Sequence, residues 1–542
     1  MSELFWSVDS LVIKGNVLFG FGWIFHASQE IVTLRFSITT DTGHDPEYIY
    51  ADWGKSREDV EKLHPHPRAS NSGYVVFGAL SQVTPCHQVN LECTLENGNT
   101  IELCVPSSRI IRFTEGTTKN DRQLVLRQIS TLALRGIQLI HSGKFISLFE
   151  KIKRYLSGRP KSVFQQPDEL VNLLQQHKNN GLSLILDHDL GGGANQYRDR
   201  LVDSLIADDQ GVIILTYHVT TLSYMVILRS KKLHQRFAIP NVFFLLEACL
   251  HLHINNIIYN TAVSFVKPQE IPQLLIQLKV LNHARLSILV HDFYLVCPSH
   301  FLLNYHGKYC HIPDSRICNQ CLPKNRYGFA TLFTEKDIAK WRAIWGSVLT
   351  IADEIVTFSN STAKLLVKAY PQIESSQIVV RPHQVEYLPE TTIPIGQTAS
   401  LRIGVVGQIG FHKGAAFIQQ LSKEIMRRGM NIAIVVIGSI ELSCESSIVR
   451  QTGPYQHDQL PELIHSSGTN IMLFPSIWPE TFSYVVQELM HMNLPVASFN
   501  FGAPAERIAA YSKGLILTTM DAAKVLDELI IFHHKIYLAH ND

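Results

Sequence analysis

The stretch Phe474-Pro-Ser-Ile-Trp-Pro-Glu-Thr-Phe-Ser-Tyr-Val-Val-Gln-Glu488 decides how this chain is read. Just upstream, the apolar run Ile471 to Phe474 reads as a buried strand that stops at the turn residues Pro475 and Ser476. Downstream, Val485, Val486 and Leu489 fall at helical spacing, which predicts a helix from about Ser483. Glu480 then sits at a strand-to-helix mouth, and Glu488 lies about two turns deeper. Two carboxylates so placed can hold hydroxyl groups. The amides from Thr481 through Phe482 and Ser483 to Tyr484 precede the first intrahelical acceptors, and free amides at a helix start bind phosphate. Hydroxyls and phosphate together point to a nucleotide-sugar. Two glutamates at this spacing alone describe a solvated helix face; the flanking strand, Trp478-Pro479 and the apolar helix weigh for a site.

Glu480 to Glu488 resembles the E-x7-E element of retaining glycosyltransferases of the GT4 type, whose GT-B fold has two Rossmann-like domains. The subgroup it is most similar to builds bacterial O-antigen, capsule or other surface polysaccharides. The resemblance runs from about 181 to about 517, and more weakly over the first hundred residues. It implies that Glu480 orients the donor-sugar hydroxyls and balances an oxocarbenium-like centre, and that Glu488 holds the nucleotide ribose.

The rest of the chain divides around that motif. Residues 1–106 alternate in short apolar pieces, with the hairpin signal Asn97-Gly98 between Val89–Leu95 and Thr100–Cys104, and predict a small antiparallel β-sandwich. It is similar to β modules attached to some polysaccharide glycosyltransferases, where such a module binds glycan or docks on its neighbour. Trp6, Trp23 and Trp53 could stack on a sugar, although Trp23 lies in an apolar run that suits a core. Residues 107–180 predict a helical linker, with a stripe from Leu124 to Tyr155 and a basic second half carrying Lys144, Lys151, Lys153, Arg154, Arg159 and Lys161. Packing on the catalytic body accounts for the stripe, and peripheral contact with an inner membrane is the alternative.

Two doubly wound domains are predicted to follow, an α/β architecture that the resemblance implies is of the GT-B kind. The first, 181–395, opens with the strand Leu182–Leu190, the glycine turn Gly191-Gly192-Gly193 and a helix. Its later strands are predicted at Gly211–Leu215, Asn256–Tyr259, Ser287–Val290 and Glu354–Phe358. The second, 396–542, begins at Leu401-Arg-Ile-Gly-Val-Val-Gly407 after a proline- and threonine-rich connector at 384–400. Its later strands are expected at Ile432–Ile437, Asn470–Phe474 and Leu494–Ser498, with a last helix at Ala522–Leu538. In the family the C-terminal segment often crosses back to the first domain.

Lys413, in Gly407-Gln-Ile-Gly-Phe-His-Lys-Gly414, lies near the start of a helix predicted at Ala415–Arg428, where its charge can neutralise a diphosphate. The family pattern is Gly-Arg followed by Lys; here Gln408 stands at the arginine position, so one positive charge has to come from elsewhere. Arg381, Arg402 and Arg507 are candidates. Gly191 to Gly193 would let the backbone approach the diphosphate or the acceptor. The full G-x-G-x-x-G pattern and a P-loop are absent, which argues against dehydrogenase and kinase chemistry. His291 ends a strand, and the resemblance implies that it faces the acceptor or the transferring sugar. Tyr455 resembles a base-side residue. No catalytic cofactor is expected, because amides, dipoles and side chains replace a divalent ion in this class.

Cys297, Cys310, Cys318 and Cys321 form Cys-x12-Cys-x7-Cys-x2-Cys in a loop at 297–321, a spacing that suits a structural zinc clip, with His300, His306 or His311 as substitute ligands. Free thiols or one disulfide are the alternatives. The chain has 48 basic and 47 acidic side chains, so nothing in its charge predicts a nucleic-acid partner. No apolar run long enough to span a bilayer and no secretion signal are evident, and nine cysteines suit a reducing cytoplasm. The expected partners are a nucleoside-diphosphate sugar donor and a glycan or lipid-linked glycan acceptor. A GT-B epimerase or phosphorylase is the enzymatic rival, and a glycan-binding scaffold with a degenerate body is the non-enzymatic one.

Overall fold

The structure is a computed structural model that describes residues 3–40, 46–55, 57–81, 86–113, 164, 166–175, 181–385, 387, 392–393, 400–442 and 444–539. The expected stripe at 124–155 and its basic half lie outside the described residues, as does most of the connector at 384–400; of the linker, the helix Pro167–Gln175 is described. Two compact units divide the chain. One comprises Met1–Ser287, Phe329–Lys336 and Ile351–Asp353; the other comprises Ile288–Gly328, Asp337–Thr350 and Glu354–Asp542.

The first unit opens with the all-β module. Its strands are β1 (Leu4–Lys14), β2 (Val17–His26), β3 (Ile31–Thr40), β4 (Glu47–Lys55), β5 (Gly73–Ala79), β6 (Cys86–Leu95), β7 (Thr100–Cys104) and β8 (Ile110–Phe113), hydrogen-bonded in the order β7-β6-β3-β4-β5-β2-β1-β8. The two halves of the expected sandwich are joined, because β4 pairs with both β3 and β5. Inward residues such as Leu11, Leu18, Leu34, Phe36, Ile49, Val76 and Leu91 enclose one core. The predicted hairpin is present: Gly98 has φ +84°, which a glycine adopts without a Cβ clash. β8 pairs parallel to β1 and carries the module past residue 106. Within this unit the module docks on its neighbours, with Lys14 Nζ donating to Leu222 O (3.0 Å) and Thr331 Oγ1 to Phe77 O (2.9 Å).

Next come β9 (Leu182–Leu186), β10 (Gly211–His218), β11 (Ser223–Arg229), β12 (His234–Ile239) and β13 (Asn256–Tyr259), in the order β12-β11-β10-β9-β13. β9 is parallel to β10 and β13, as predicted. β11 and β12 were not predicted, and both pair antiparallel. The reversal comes from the short turn Val219–Leu222, where Leu222 takes φ +49°. β14 (Arg285–Leu289) spans the division between units: Arg285 N donates to Asn255 O in the first, and Val290 N to Val356 O in the second.

In the second unit β15 (Glu354–Thr357) pairs parallel with β16 (Ile378–Val380). A six-stranded parallel sheet then forms from β17 (Arg402–Ile409), β18 (Ala433–Ile440), β19 (Val449–Gln451), β20 (Ile471–Phe474), β21 (Val496–Phe499) and β22 (Gly514–Leu517), in the order β19-β18-β17-β20-β21-β22. Alternation sorts its side chains. Ile403, Val405, Ile434, Val436, Ile471 and Leu473 meet the helices Ala415–Arg427 and Ala522–Ala539 on one face. Val406, Val435, Ile437, Met472 and Phe474 meet Leu460–Ser467, Tyr484–His491 and Gly502–Ala509 on the other. Both faces are covered, which is why the strands read as continuous apolar runs. The last helix packs on its own sheet through Val525, Leu526, Leu529 and Phe532. The element order is an all-β module followed by two α/β sheets.

Candidate functional site

Strand β20 delivers the turn that carries Glu480. The backbone there is held from below: Gly414 has φ +87°, and a Cβ on it would lie 2.1 Å from Pro475 O. Ile477 N donates to His412 O (3.1 Å), and Lys413 N to Gly410 O (3.1 Å). Lys413 therefore ends the short turn Phe411–Lys413, pressed against the segment leading to Glu480. The predicted helix follows at Ala415–Arg427. β17 runs further than expected, through Gly407 and the exposed Gln408 to Ile409, because Gln408 stays in register with Ser439.

Glu480 Oε1 is enclosed and finds no hydrogen-bond partner among the described residues. Burial raises the Glu480 carboxyl above its ordinary pKa, while the Lys413 charge and then Ser476, Ser483 and Trp478 pull it back. Lys413 and Glu480 thus share one site. Among the described residues no carboxylate pairs with the Lys413 ammonium. Behind Glu480, Ala503 N donates to Glu480 O (2.9 Å), and Gly502 leaves no room for a Cβ against Pro479.

The turn continues through a strained residue. Ser483 has φ 85° and ψ 103°, outside the regions an L-residue favours, and its Oγ accepts from Val486 N to cap the helix Tyr484–His491. Strain of this kind is held by its surroundings and clusters at functional sites. Thr481 Oγ1 donates to His291 O (2.7 Å), and Thr362 Oγ1 to Thr481 O (3.3 Å). The Thr481, Phe482 and Ser483 amides take no acceptor from the described residues, as the sequence led us to expect. His291 stacks on Phe358 (4.4 Å), which also stacks on His383 (4.0 Å); His383 in turn meets Phe482 edge-on (4.6 Å) and stacks on Tyr484 (5.1 Å). His291 is therefore joined to the Glu480 turn by its own carbonyl and through His383, a residue the sequence reading missed.

Glu488 is 1% exposed. Its Oε1 accepts from the Tyr387 hydroxyl and lies 3.4 Å from His457 Nδ1, while Oε2 has no partner among the described residues. Tyr387 and His457 meet ring to ring at 5.6 Å, and Tyr455 meets His457 at 6.4 Å. Burial, and then the charge of Glu488, push the Tyr455 phenol up to about 12. Tyr455 and Glu488, predicted separately, are thus brought together, and Tyr387 and His457 join them.

The candidate arginines separate clearly. Arg381 is exposed and paired with Glu354 (2.7 Å), and Arg402 opens β17 at the end remote from the Lys413 turn. Arg507 lies over the Phe482 ring (4.4 Å to the centroid), with Nη1 donating to Ser483 O (3.4 Å).

In the first unit, Gly191 (φ +85°) and Gly192 (φ +88°) precede the helix Gly193–Ala207, and a Cβ on either would meet nothing within 4 Å, so conformation and not crowding selects glycine. The Gly191 amide, expected to be available, is taken by Asn195 Oδ1 (2.7 Å). Asn195 Nδ2 and Arg198 Nη1 both donate to Asp187 Oδ2, at 2.7 and 3.0 Å. Burial raises fully buried Asp187 to about 6 against the pull of Arg198.

The cysteine loop is more ordered than predicted. Asp314 caps the helix Ser315–Cys321, which places Cys318 and Cys321 one turn apart. All four thiols are free. Burial raises the Cys310 thiol to about 11, with Cys318 and Cys321 near enough to add to the shift. Among the described residues no three His, Cys, Asp or Glu side chains are placed to hold a metal ion, so the thiols as they stand do not form a ligand set.

Residues 397–535 match the family model described as Glycosyl transferases group 1. That match supports a glycosyltransferase and spans Gly407, Lys413, Tyr455, Glu480 and Glu488. Similar solved structures include Alr3699/HepE from Anabaena in complex with UDP-glucose (15% identity, TM-score 0.40, covering 65% of this chain and 89% of that one). Sucrose-phosphate synthase from Thermosynechococcus elongatus has 13% identity and a TM-score of 0.43, over 66% of this chain and 94% of that one. The lipopolysaccharide outer core galactosyltransferase WaaB, in its apo form, has 11% identity and a TM-score of 0.41, over 66% and 93%. No curated protein matches the chain.

Proposed function

We propose that this chain is a retaining glycosyltransferase of the GT4 kind, which moves a sugar from a nucleoside diphosphate to a hydroxyl of a glycan or lipid-linked glycan. In that reaction the bond from the anomeric carbon to the diphosphate oxygen breaks, and the acceptor oxygen bonds to the same face as its proton passes to the departing diphosphate oxygen. Negative charge grows on the leaving diphosphate. Lys413 and the amides at 481–483 would meet it, and such preorganised donors act mostly in the transition state. Glu480 would hold sugar hydroxyls and balance the positive anomeric centre, Glu488 the ribose, Tyr455 the base side, and His291 the acceptor or the transferring sugar. The observation that carries this reading is the Lys413 ammonium acting, with no carboxylate partner of its own among the described residues, on the enclosed Glu480.

Extension of a surface polysaccharide at the cytoplasmic face of an inner membrane is supported by the resemblance of the Glu480–Glu488 element to that subgroup. Among the described residues no helix is long and apolar enough to cross a membrane. The spacing of Cys297, Cys310, Cys318 and Cys321 supports a zinc clip, which the side chains would have to move to form; metal analysis showing well under one equivalent would end that proposal. The central test is incubation with UDP-, GDP- and dTDP-sugars. One donor should release nucleoside diphosphate, with turnover falling about 10²- to 10³-fold in folded Lys413→Ala and Glu480→Gln variants. Wild-type protein that turns over no donor, or variants that match it, would refute the reading; glycan binding without turnover would favour a scaffold, for which exposed Gln408 speaks.

A further inference from the structure

Arg507 has an unusual position for an arginine. It comes from the last turn of the helix Gly502–Ala509, whose start is bonded to the Glu480 carbonyl through Ala503 N. Its guanidinium covers the Phe482 ring at 4.4 Å, and Nη1 donates to Ser483 O at 3.4 Å. Nη2 is enclosed and has no hydrogen-bond partner among the described residues. No carboxylate lies within ion-pair distance of it among the described residues. The adjacent Glu506 is committed elsewhere, accepting from Asn360 N, Asn360 Nδ2 and Ser361 N at 3.2, 2.9 and 2.6 Å.

Enclosing a guanidinium with no ion-paired carboxylate is unfavourable, and burial lowers it from its ordinary value to about 10 against the more distant pull of Glu506. A stacked ring and one long bond to a carbonyl offset only part of that. The missing partner is an anion, and the turn that Arg507 touches is the one whose Thr481, Phe482 and Ser483 amides are without acceptors and whose Glu480 feels Lys413. Two cations thus bear on one turn, while Gln408 carries no charge where the resemblance calls for arginine.

We infer that Arg507 supplies the second positive charge for the diphosphate of the donor, in place of the arginine absent at position 408. This rests on the proposed transferase reading and names the group that completes its diphosphate site. The guanidinium reaches the anion from the helix that follows the Glu480 turn, whereas Lys413 reaches it from the helix start after β17. Arginine suits the place because its planar fork can keep the ring contact and the Ser483 bond while Nη2 takes a phosphate oxygen.

The test uses the full-length protein, inorganic pyrophosphate as probe and calorimetry in chelator-containing buffer. Arg507→Met keeps an unbranched stem against Phe482 without the charge. It should bind pyrophosphate about tenfold or more weakly, with Arg507→Lys in between, and with donor KM rising more than melting temperature falls. An Arg507→Met protein that binds pyrophosphate as wild type does, or loses only thermal stability, would make Arg507 a strut under the turn and overturn the proposal. Lys413→Ala separates the two levels. If it loses pyrophosphate affinity while Arg507→Met does not, only the role of Arg507 fails. If wild type does not bind pyrophosphate, or Lys413→Ala binds it equally well, the diphosphate site itself fails.

Discussion

Removing the Tyr387 hydroxyl tests the ribose role of Glu488 most directly. The Glu488 carboxylate is 1% exposed, so it draws almost nothing from water. In the free protein its Oε1 accepts from the Tyr387 hydroxyl and lies 3.4 Å from His457 Nδ1, and among the described residues nothing donates to Oε2. If ribose binds at Glu488 Oε1, the sugar hydroxyls supply the same kind of donor and displace Tyr387. A hydrogen bond to a charged group contributes about 1.5–3 kcal/mol. Tyr387→Phe deletes that contribution from the free state alone. The unliganded variant should melt a few degrees lower than wild type, and its affinity for the nucleoside diphosphate of the preferred donor should rise by roughly 10- to 150-fold, since about 1.4 kcal/mol is a factor of ten. Titration calorimetry reads the affinity, and thermal melts with and without nucleotide read the free-state penalty; the two changes should nearly cancel in the complex. Weaker or unchanged binding would mean that Tyr387 belongs to the bound pocket and does not stand in for ribose, and the reasoning would fail.

Other perturbations follow from the same geometry. Ser483→Gly should relieve a backbone strain of about 1–3 kcal/mol at φ 85° and lose only a few tenths at the cap, so it should raise the urea midpoint, whereas Ser483→Ala keeps the strain, loses the cap and should lower it. Glu480 has a folded pKa raised by burial, so its penalty is absent in acid and grows as pH rises above the ordinary carboxylate range. Glu480→Gln should therefore match wild-type stability at low pH and exceed it at neutral pH in denaturant titrations. Asp187→Ala would take the shared buried acceptor from Asn195 Nδ2 and Arg198 Nη1 while Arg198 keeps its pair with Asp199, and about 1–3 kcal/mol of destabilisation by chemical denaturation is expected.

Local chemistry made much of this readable in advance. Ile471 to Phe474 read as a buried strand, and the turn residues Pro475 and Ser476 mark its end, as the structure has it. The Asn97-Gly98 pair named its hairpin, because glycine tolerates the φ of +84° that the turn needs. What stayed hidden was set by partners far along the chain or by backbone states the residue type does not announce. Ser223–Arg229 is an apolar run in either direction; its antiparallel sense depends on Leu222 turning left-handed, which leucine does not signal. Ser483 likewise gives no hint of its positive φ. Tyr387 meets Glu488 across 101 positions of sequence, and no spacing rule links a connector tyrosine to a helix carboxylate. His383 was missed for the same reason, since its place is defined by rings from three other segments, His291, Phe358 and Phe482.

The Lys413–Glu480 turn does not belong to one continuous stretch of polypeptide. Phe301 stacks on His412 at 4.2 Å and meets Trp478 at 5.0 Å, Tyr327 stacks on Phe411 at 5.0 Å, and the Thr481 hydroxyl ends on the carbonyl of His291. Cutting at the connector to isolate residues 397–542 would strip these covers, baring Phe411, His412 and Trp478 to water and leaving Thr481 Oγ1 without its acceptor. Such a fragment should be sticky and catalytically mute even though its sheet is whole, so the smallest autonomous piece retaining the site has to bring 288–328 with it.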